Sequence, residues 1–397
     1  MSEDKTHLGK HPSKNRLKLD QEFKIIGLLG IGGMAEVYKA EQTSLSRMVA
    51  IKKLKSSLSQ NPEMMERFLR EAQSAANLQH ENIVQVYQMG EADNEHYIVM
   101  EYVEGRDLKS ILKNSGPVPW EIAGLIIRGV AQGLQFAHQR GYIHRDIKPG
   151  NIMLSYRGEV KIMDFGIVRR MDSELTQTGA FLGTPSYMSP EQLKGQGVTV
   201  QSDLFSLGIV LYEILTGEKP FQADTEQALI LKITTEKEKA VRRHNSEIPR
   251  RLARMVKKIL KKNPAKRFRD AEELIQYLDR VPGKKIVARA NELIAEYLRR
   301  AESLSQEERT KKADQLDSEP VQVATRTRAG RGRGKTKTAQ KQGRAIIGNE
   351  WTPSQESSWM VKTVILMVIT LALILIAILL HSQGYLSDLL NFLKAHF

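Results

Sequence analysis

The chain of 397 residues contains no cysteine. Disulfides, thiolate metal sites and cysteine nucleophiles are therefore excluded, and nothing in the chain requires an oxidising compartment. Met1 to Asp20 is polar and lacks the apolar core of a secretory signal. No internal repeat is present, which argues against a solenoid or propeller. Acidic residues are in deficit, with 46 Asp and Glu against 60 Lys and Arg, leaving a formal net charge of +14. The length leaves room for one large domain and additional segments.

What is present is concentrated in one short run, His144-Arg145-Asp146-Ile147-Lys148-Pro149-Gly150-Asn151, with Asp164-Phe165-Gly166 following it. Phosphoryl transfer from a nucleotide needs a carboxylate to receive a hydroxyl proton, a cation near the phosphates and oxygen ligands for a divalent ion. Asp146, Lys148, Asn151 and Asp164 are residues of those types. Each alone reads equally well as a polar loop residue or a helix cap. Upstream lie a glycine-rich run, Leu29-Gly30-Ile31-Gly32-Gly33-Met34-Ala35-Glu36-Val37-Tyr38, and Val49-Ala50-Ile51-Lys52, whose alternation suits a half-buried strand. Downstream lies Gly183-Thr184-Pro185-Ser186-Tyr187-Met188-Ser189-Pro190-Glu191.

Together and in this order, the motifs resemble the protein kinase superfamily from about Phe23 to about Leu278. The string Gly-Ile-Gly-Gly-Met-Ala-Glu-Val-Tyr is similar to bacterial serine/threonine kinases in particular. The resemblance implies an α+β, bilobal protein kinase fold: a small β-rich lobe, a larger helical lobe and a nucleotide between them. Helical periodicity over Ile122–Arg140, Ser202–Thr216 and Arg250–Leu260 agrees with it. Two departures are small: Ala35 stands where the family has its third glycine, and Ser189 where it usually has alanine.

The resemblance also implies roles. Asp146 would orient and deprotonate the acceptor hydroxyl, Lys148 would steady the phosphoryl group, and Lys52 would hold the α- and β-phosphates. Glu71, in a segment with helical spacing from Met64 to Leu78, would pair with Lys52; Glu63 and Glu66 are its competitors. Asn151 and Asp164 would bind magnesium, with manganese as the alternative ion. Leu29, Gly30, Gly32, Gly33 and Val37 would cover the ATP. Ala50 would pack above the adenine, Met100 would limit a pocket behind it, and backbone groups of Glu101 and Val103 would hydrogen-bond it. Thr184 would touch Asp146 and Lys148 and select a serine or threonine acceptor. Glu191 would pair with Arg267, and Asp203 would hold the backbone of the catalytic loop. Arg145 precedes the catalytic aspartate, and a phosphate on Thr176 or Thr178 would give it a partner.

Thr363 to Leu380 carries no charge over eighteen residues. As a helix it would reach about 27 Å, close to the roughly 30 Å of a bilayer core. Trp351 and Trp359 precede it, as interfacial aromatics do. Residues 320–362 hold nine Lys or Arg against two Glu, so the positive-inside rule sets that flank, and the kinase domain, in the cytoplasm. The domain plan is a polar tail over 1–22 and a kinase domain over 23–280. A charged, helical spacer over 281–319, a basic juxtamembrane linker over 320–359, a transmembrane helix over 360–380 and a short external tail over 381–397 follow. The basic run Arg326 to Arg344 lacks interleaved aromatics, so anionic lipid rather than nucleic acid is its expected partner. Other expected partners are protein substrates and a second copy of the chain. The alternative to an active kinase is a pseudokinase-like membrane scaffold that binds nucleotide or partners without transfer.

Overall fold

The computed structural model describes residues 22–92, 95–165, 185–281 and 283–303. All lie in one compact unit, Met1–Val321; a second unit, Gln322–Phe397, falls outside the described residues. The expected membrane span and external tail, the basic linker, and Thr176, Thr178 and Thr184 therefore lie outside them too. Among the described residues no helix is long and apolar enough to cross a membrane.

The first lobe is a five-stranded sheet of β1 (Phe23–Ile31), β2 (Ala35–Gln42), β3 (Arg47–Leu54), β4 (Val86–Ala92) and β5 (Glu95–Glu101). Its antiparallel order is β1-β2-β3-β5-β4. Alternation splits β3: Val49 and Ile51 pack with Phe23, Ala40, Tyr97 and Val99 on one face. Ala50, Lys52 and Leu54 turn to the other face. There Leu54 joins Ala35, Ile98 and the helix α1 (Pro62–Ala76) through Phe68 and Ala72. Asn61 caps α1 by accepting hydrogen bonds from the amides of Glu63 and Met64, and Pro62 starts it. This places α1 under the sheet with Glu71 on its inner side.

The second lobe is helical and holds the large core. Its elements are α2 (Leu108–Ser115), α3 (Trp120–Gln139), α4 (Pro190–Leu193), α5 (Val200–Thr216), α6 (Glu226–Thr235), α7 (Arg250–Ile259), α8 (Ala271–Leu278) and α9 (Lys284–Ala288). α3 and α5 are apolar almost all round and buried at the centre, as such helices must be. Gly208 lets α7 come close: a Cβ there would stand 2.5 Å from Ile259 Cγ2. A small sheet of β6 (Gly105–Asp107), β7 (Ile152–Ser155) and β8 (Val160–Ile162) lies beside the cleft. It carries the loop 144–151 on one side of β7 and Asp164 just after β8.

The stretch expected as a charged helical spacer is not a free rod where it is described. α9 breaks at Arg289, and residues 290–303 form a second helical run that packs on the lobe. Ile294 and Leu298, one turn apart, are buried in the main core. Arg106 of β6 and Tyr156 both hydrogen-bond Glu302. Gly158 lies so close to this run that a Cβ would meet the Asn291 carbonyl oxygen at 1.7 Å. Residues 304–319 of the expected spacer lie outside the described residues.

Candidate active site

Lys52 sits on β3 with its side chain almost fully buried. Its Nζ is 2.6 Å from Glu71 Oε1 on α1 and 2.8 Å from Asp164 Oδ1. Glu63 and Glu66, the alternatives to Glu71, are exposed and make no contact with Lys52. Burial alone would depress the Lys52 ammonium, but Asp164 and Glu71 outweigh it and hold its pKa above the ordinary value. The two carboxylates share one cation and titrate apart. Burial pushes Glu71 up to about 7. Burial acts on Asp164 in the same sense, but the Lys52 cation overcomes it and holds that carboxyl below its usual range. Asp164 also takes a left-handed backbone, φ 56°, which few non-glycine residues adopt. Phe165 behind it is buried against His144, ring centroids 4.6 Å apart.

The loop 144–151 is held from beneath by one carboxylate. Asp203, at the start of α5 and 1 % exposed, accepts from the amides of His144 at 2.8 Å and Arg145 at 2.7 Å. His138 Nε2 lies 2.8 Å from the same Asp203 Oδ2. Arg145, like Asp164, has positive φ, at 66°. His144 Nε2 bonds the Met163 carbonyl and its Nδ1 accepts from the Asp146 amide. One ring nitrogen donating and one accepting is a neutral imidazole, and burial holds its pKa low.

On that support, Lys148 Nζ is 2.6 Å from Asp146 Oδ2. Asn151 Nδ2 donates to the Asp146 carbonyl at 2.8 Å and to Asp146 Oδ2 at 3.1 Å. The Asn151 carbonyl accepts from Met163, tying this loop to the Asp164 segment. Asn151 spends its amide nitrogen on Asp146, so its side-chain oxygen remains a neutral hard donor. Asp164 adds a carboxylate. That pairing suits a small hard cation completed by phosphate oxygens. Among the described residues no three His, Asp or Glu are grouped to hold a metal by themselves.

The glycine-rich run forms the β1–β2 hairpin. Gly32 donates to the Ala35 carbonyl at 2.8 Å, and Gly30 stands opposite Val37. Leu29, Gly30, Gly32 and Gly33 are exposed over the cleft. Ala35 is buried in the core with Leu54 and Phe68, so an alanine fits at this position. Ala50 is buried on the cleft-side face of β3. A cavity behind Met100 is lined by Lys52, Glu71, Val84, Ile98, Asp164 and Phe165. Glu101 spends its amide on the Gln85 carbonyl and its side chain on Lys161, 2.6 Å away. Among the described residues no backbone hydrogen bond uses the Val103 amide.

Glu191 and Arg267 form a bidentate pair at 2.7 and 2.8 Å with both side chains buried. Arg267 also donates to the carbonyls of Lys261, Gln201 and Lys262, so its guanidinium fork is fully used. Burial would raise the Glu191 pKa; Arg267 and Ser202 bring it below the ordinary value.

Two contacts could not be found from sequence. His138 is part of the Asp203 support, although it stands in helix α3 with no motif around it. Tyr187 donates to Glu213 on α5 at 2.7 Å, and burial, with the Glu213 charge, raises its pKa.

The description "protein kinase domain" fits residues 23–278, where the family profile matches. The chain is 44% identical over 270 residues to the serine/threonine-protein kinase PknB of Mycolicibacterium smegmatis, an alignment covering 66% of this chain and 43% of that protein. It is 40% identical over 258 residues to PrkC of Bacillus subtilis, covering 65% and 40%. The chain thus spans less than half the length of these relatives. The crystal structure of the Mycobacterium tuberculosis PknI kinase domain is similar, with a TM-score of 0.53 and 26% identity over 65% of this chain and 95% of that one.

Proposed function

The chain belongs to the protein kinase domain family, and from that premise we propose that it is a serine/threonine protein kinase that uses ATP and a divalent cation. The observation that carries this reading is the Lys52 ammonium, buried and held by Glu71 from α1 and Asp164 from the loop after β8. A buried cation fixed between the two lobes is ready to meet phosphate charge. Lys52 is then the residue that takes the α- and β-phosphates, and the glycine hairpin covers them with backbone amides. Ala50 and the Val103 amide suit an adenine.

Asp146 is the base. Its Oδ receives the proton of the acceptor hydroxyl as that oxygen bonds the γ-phosphorus and the bond to the β–γ bridging oxygen breaks. The products are a phosphoprotein and ADP. Lys148, beside Asp146, faces the charge of the transferring group. Asn151 and Asp164 would hold magnesium, or manganese, which when bound supplies Lewis-acid neutralisation of phosphate charge.

Substrates on this reading are proteins with exposed serine or threonine. Thr184 would help select the serine or threonine acceptor, and Thr176 and Thr178 are the candidate sites of autophosphorylation. The anchor is the uncharged run Thr363–Leu380, with the kinase in the cytoplasm and the basic linker against anionic lipid. Two measurements test the parts separately. Mass spectrometry of protein incubated with ATP and magnesium should find phosphate on Thr176 or Thr178 in the parent and none in Asp146→Asn. Alkaline extraction of membranes should leave the full chain in the pellet; release into the supernatant would remove the anchor and leave the kinase reading intact.

A further inference from the structure

Residues 250–269 hold ten Lys or Arg and no Asp or Glu. This is a denser cationic run than the linker before the apolar segment, and none of the phosphoryl-transfer chemistry uses it. Four of the ten are committed. Arg267 is buried on Glu191, Lys258 pairs with Glu273, Arg269 pairs with Asp270, and Lys262 lies over the Phe221 ring. The other six, Arg250, Arg251, Arg254, Lys257, Lys261 and Lys266, form no ion pair with a carboxylate among the described residues. Glu238 lies near enough to feel Lys257 and Lys261 without bonding either.

The helix geometry arranges these charges. Leu252, Met255, Val256 and Ile259 bury one face of α7 in the core. Arg250, Arg254 and Lys257, at i, i+4 and i+7, fall together on the opposite, exposed face, with Arg251 and Lys258 beside them. The apolar face is fully spent, so the helix has nothing left to insert into a bilayer. Its exposed face offers only positive charge, without an exposed aromatic on which a nucleic-acid base could stack.

We propose that the cationic face of α7 and the following loop binds an anionic lipid surface, laying the catalytic domain on the membrane. The proposal rests on the membrane-anchored reading. Fifty-six residues, 304–359, separate the domain from the uncharged run, and residues 320–362, with a net charge of +7, already favour the same acidic leaflet. Two basic surfaces on one chain bind with an effective concentration set by the linker between them. Contact at headgroup level through charge alone is sensitive to salt.

The absence of cysteine makes the test direct. A single probe is attached at Ala265→Cys, in the loop after α7, or at Ser44→Cys, in the β2–β3 turn of the other lobe. The full chain is placed in vesicles of phosphatidylcholine alone or with one third phosphatidylglycerol, each carrying headgroup spin labels. The expected result is quenching at position 265 in the anionic vesicles alone, none at 44, and loss of the effect in high salt. The triple variant Arg250→Gln, Arg254→Gln, Lys257→Gln should weaken the contact roughly a hundredfold, from about fivefold per side chain. The matching change of Arg250 and Arg254 to Lys should keep it. Thermal unfolding of each variant checks that the domain remains folded. Equal quenching in both lipids, quenching in neither, indifference to the triple change, or tighter capture by an RNA or an acidic protein than by the anionic vesicle would overturn the proposal. If alkaline extraction releases the chain, the anchor fails separately. The same probe on the free chain mixed with anionic vesicles then still decides whether this face binds them.

Discussion

Lys52 Nζ lies 2.8 Å from Asp164 Oδ1, joining a strand of the small lobe to a loop 112 residues further along the chain. Glu71 on α1 meets the same nitrogen from the other side at 2.6 Å. Three elements distant in sequence are therefore registered on one buried cation. A misplacement of the helix, the strand or the loop would be felt at that atom.

Glu71→Gln keeps the shape of the side chain and removes the charge that holds Lys52. The expected effect is a fall in kcat/KM of about a hundredfold, the order associated with losing position by about an ångström. Steady-state kinetics with a peptide acceptor measures it, alongside circular dichroism to show that the fold is kept. A variant as fast as the parent would mean that Lys52 needs no partner on α1.

Asp203→Asn replaces an acceptor oxygen by an amide that must face N–H groups of His144 and Arg145. Leaving such buried donors unsatisfied costs about 1–3 kcal/mol, more where a charge was involved. Both Tm and transfer rate should fall. Retention of both would place the support of the loop 144–151 elsewhere.

Glu191 and Arg267 make a buried, fully hydrogen-bonded pair. Removing one partner, as in Glu191→Gln or Arg267→Met, should destabilise by about 3–5 kcal/mol in urea unfolding. The double change Glu191→Gln with Arg267→Met should cost less than the sum of the two singles. Additive costs would show that the pair is not energetically coupled.

Residues 290–303 should behave as part of the folded domain. Losing the buried side chains of Ile294 and Leu298 by ending the chain at residue 283 should cost about 3–6 kcal/mol relative to ending it at 303. Gly158→Ala should undock the same run, because its Cβ would meet the Asn291 oxygen and its φ is +84°. Equal urea midpoints for the two truncations would contradict this.

Lys262 gives a pH dependence with a definite sign. Burial against Phe221 pulls its ammonium down to about 8, against the favourable charge of Glu238. The fold thus prefers the neutral amine. Between pH 8 and the ordinary value of 10.5 the unfolded chain binds more protons, so stability rises with pH over that window; below 8 the cost of the buried charge is fully present. Lys262→Met lacks this increment. The stability of the variant relative to the parent should therefore be greater at pH 7 than at pH 10, by urea unfolding at both. A constant difference would show that Lys262 titrates normally.

Much of the cleft was legible in the sequence because its chemistry is carried by short runs. Asp146, Lys148 and Asn151 lie within six residues, and local chain geometry alone brings them together. Lys52, Glu71 and Asp164 are far apart, and only the resemblance to a family linked them; pattern alone left Glu63 and Glu66 as rivals. The helices α3 and α5 were visible as apolar periodicity. The docking of residues 290–303 was hidden because five charged residues there make the segment read as a charged spacer, although Ile294, Ala295, Leu298 and Ala301 form a buried stripe along it. Which face of such a helix is buried depends on a surface that the rest of the chain builds. The cationic face of α7 was obscured differently: Lys and Arg there alternate with core residues, and only the fold separates those paired with Glu191, Glu273 and Asp270 from those left facing solvent. His138 beneath the loop 144–151 carries no local signal at all.

The most direct measurement is phosphoryl transfer itself. The full chain, purified from cells that co-express a phosphatase, is given ATP labelled at the γ-phosphate together with magnesium, beside Asp146→Asn and Lys52→Met, and the label is assigned by phosphoamino-acid analysis. The account predicts phosphothreonine or phosphoserine in the parent alone, with both variants folded and silent. Nucleotide binding by the parent with no phosphoprotein formed, on itself or on added protein, would contradict it and leave a scaffold.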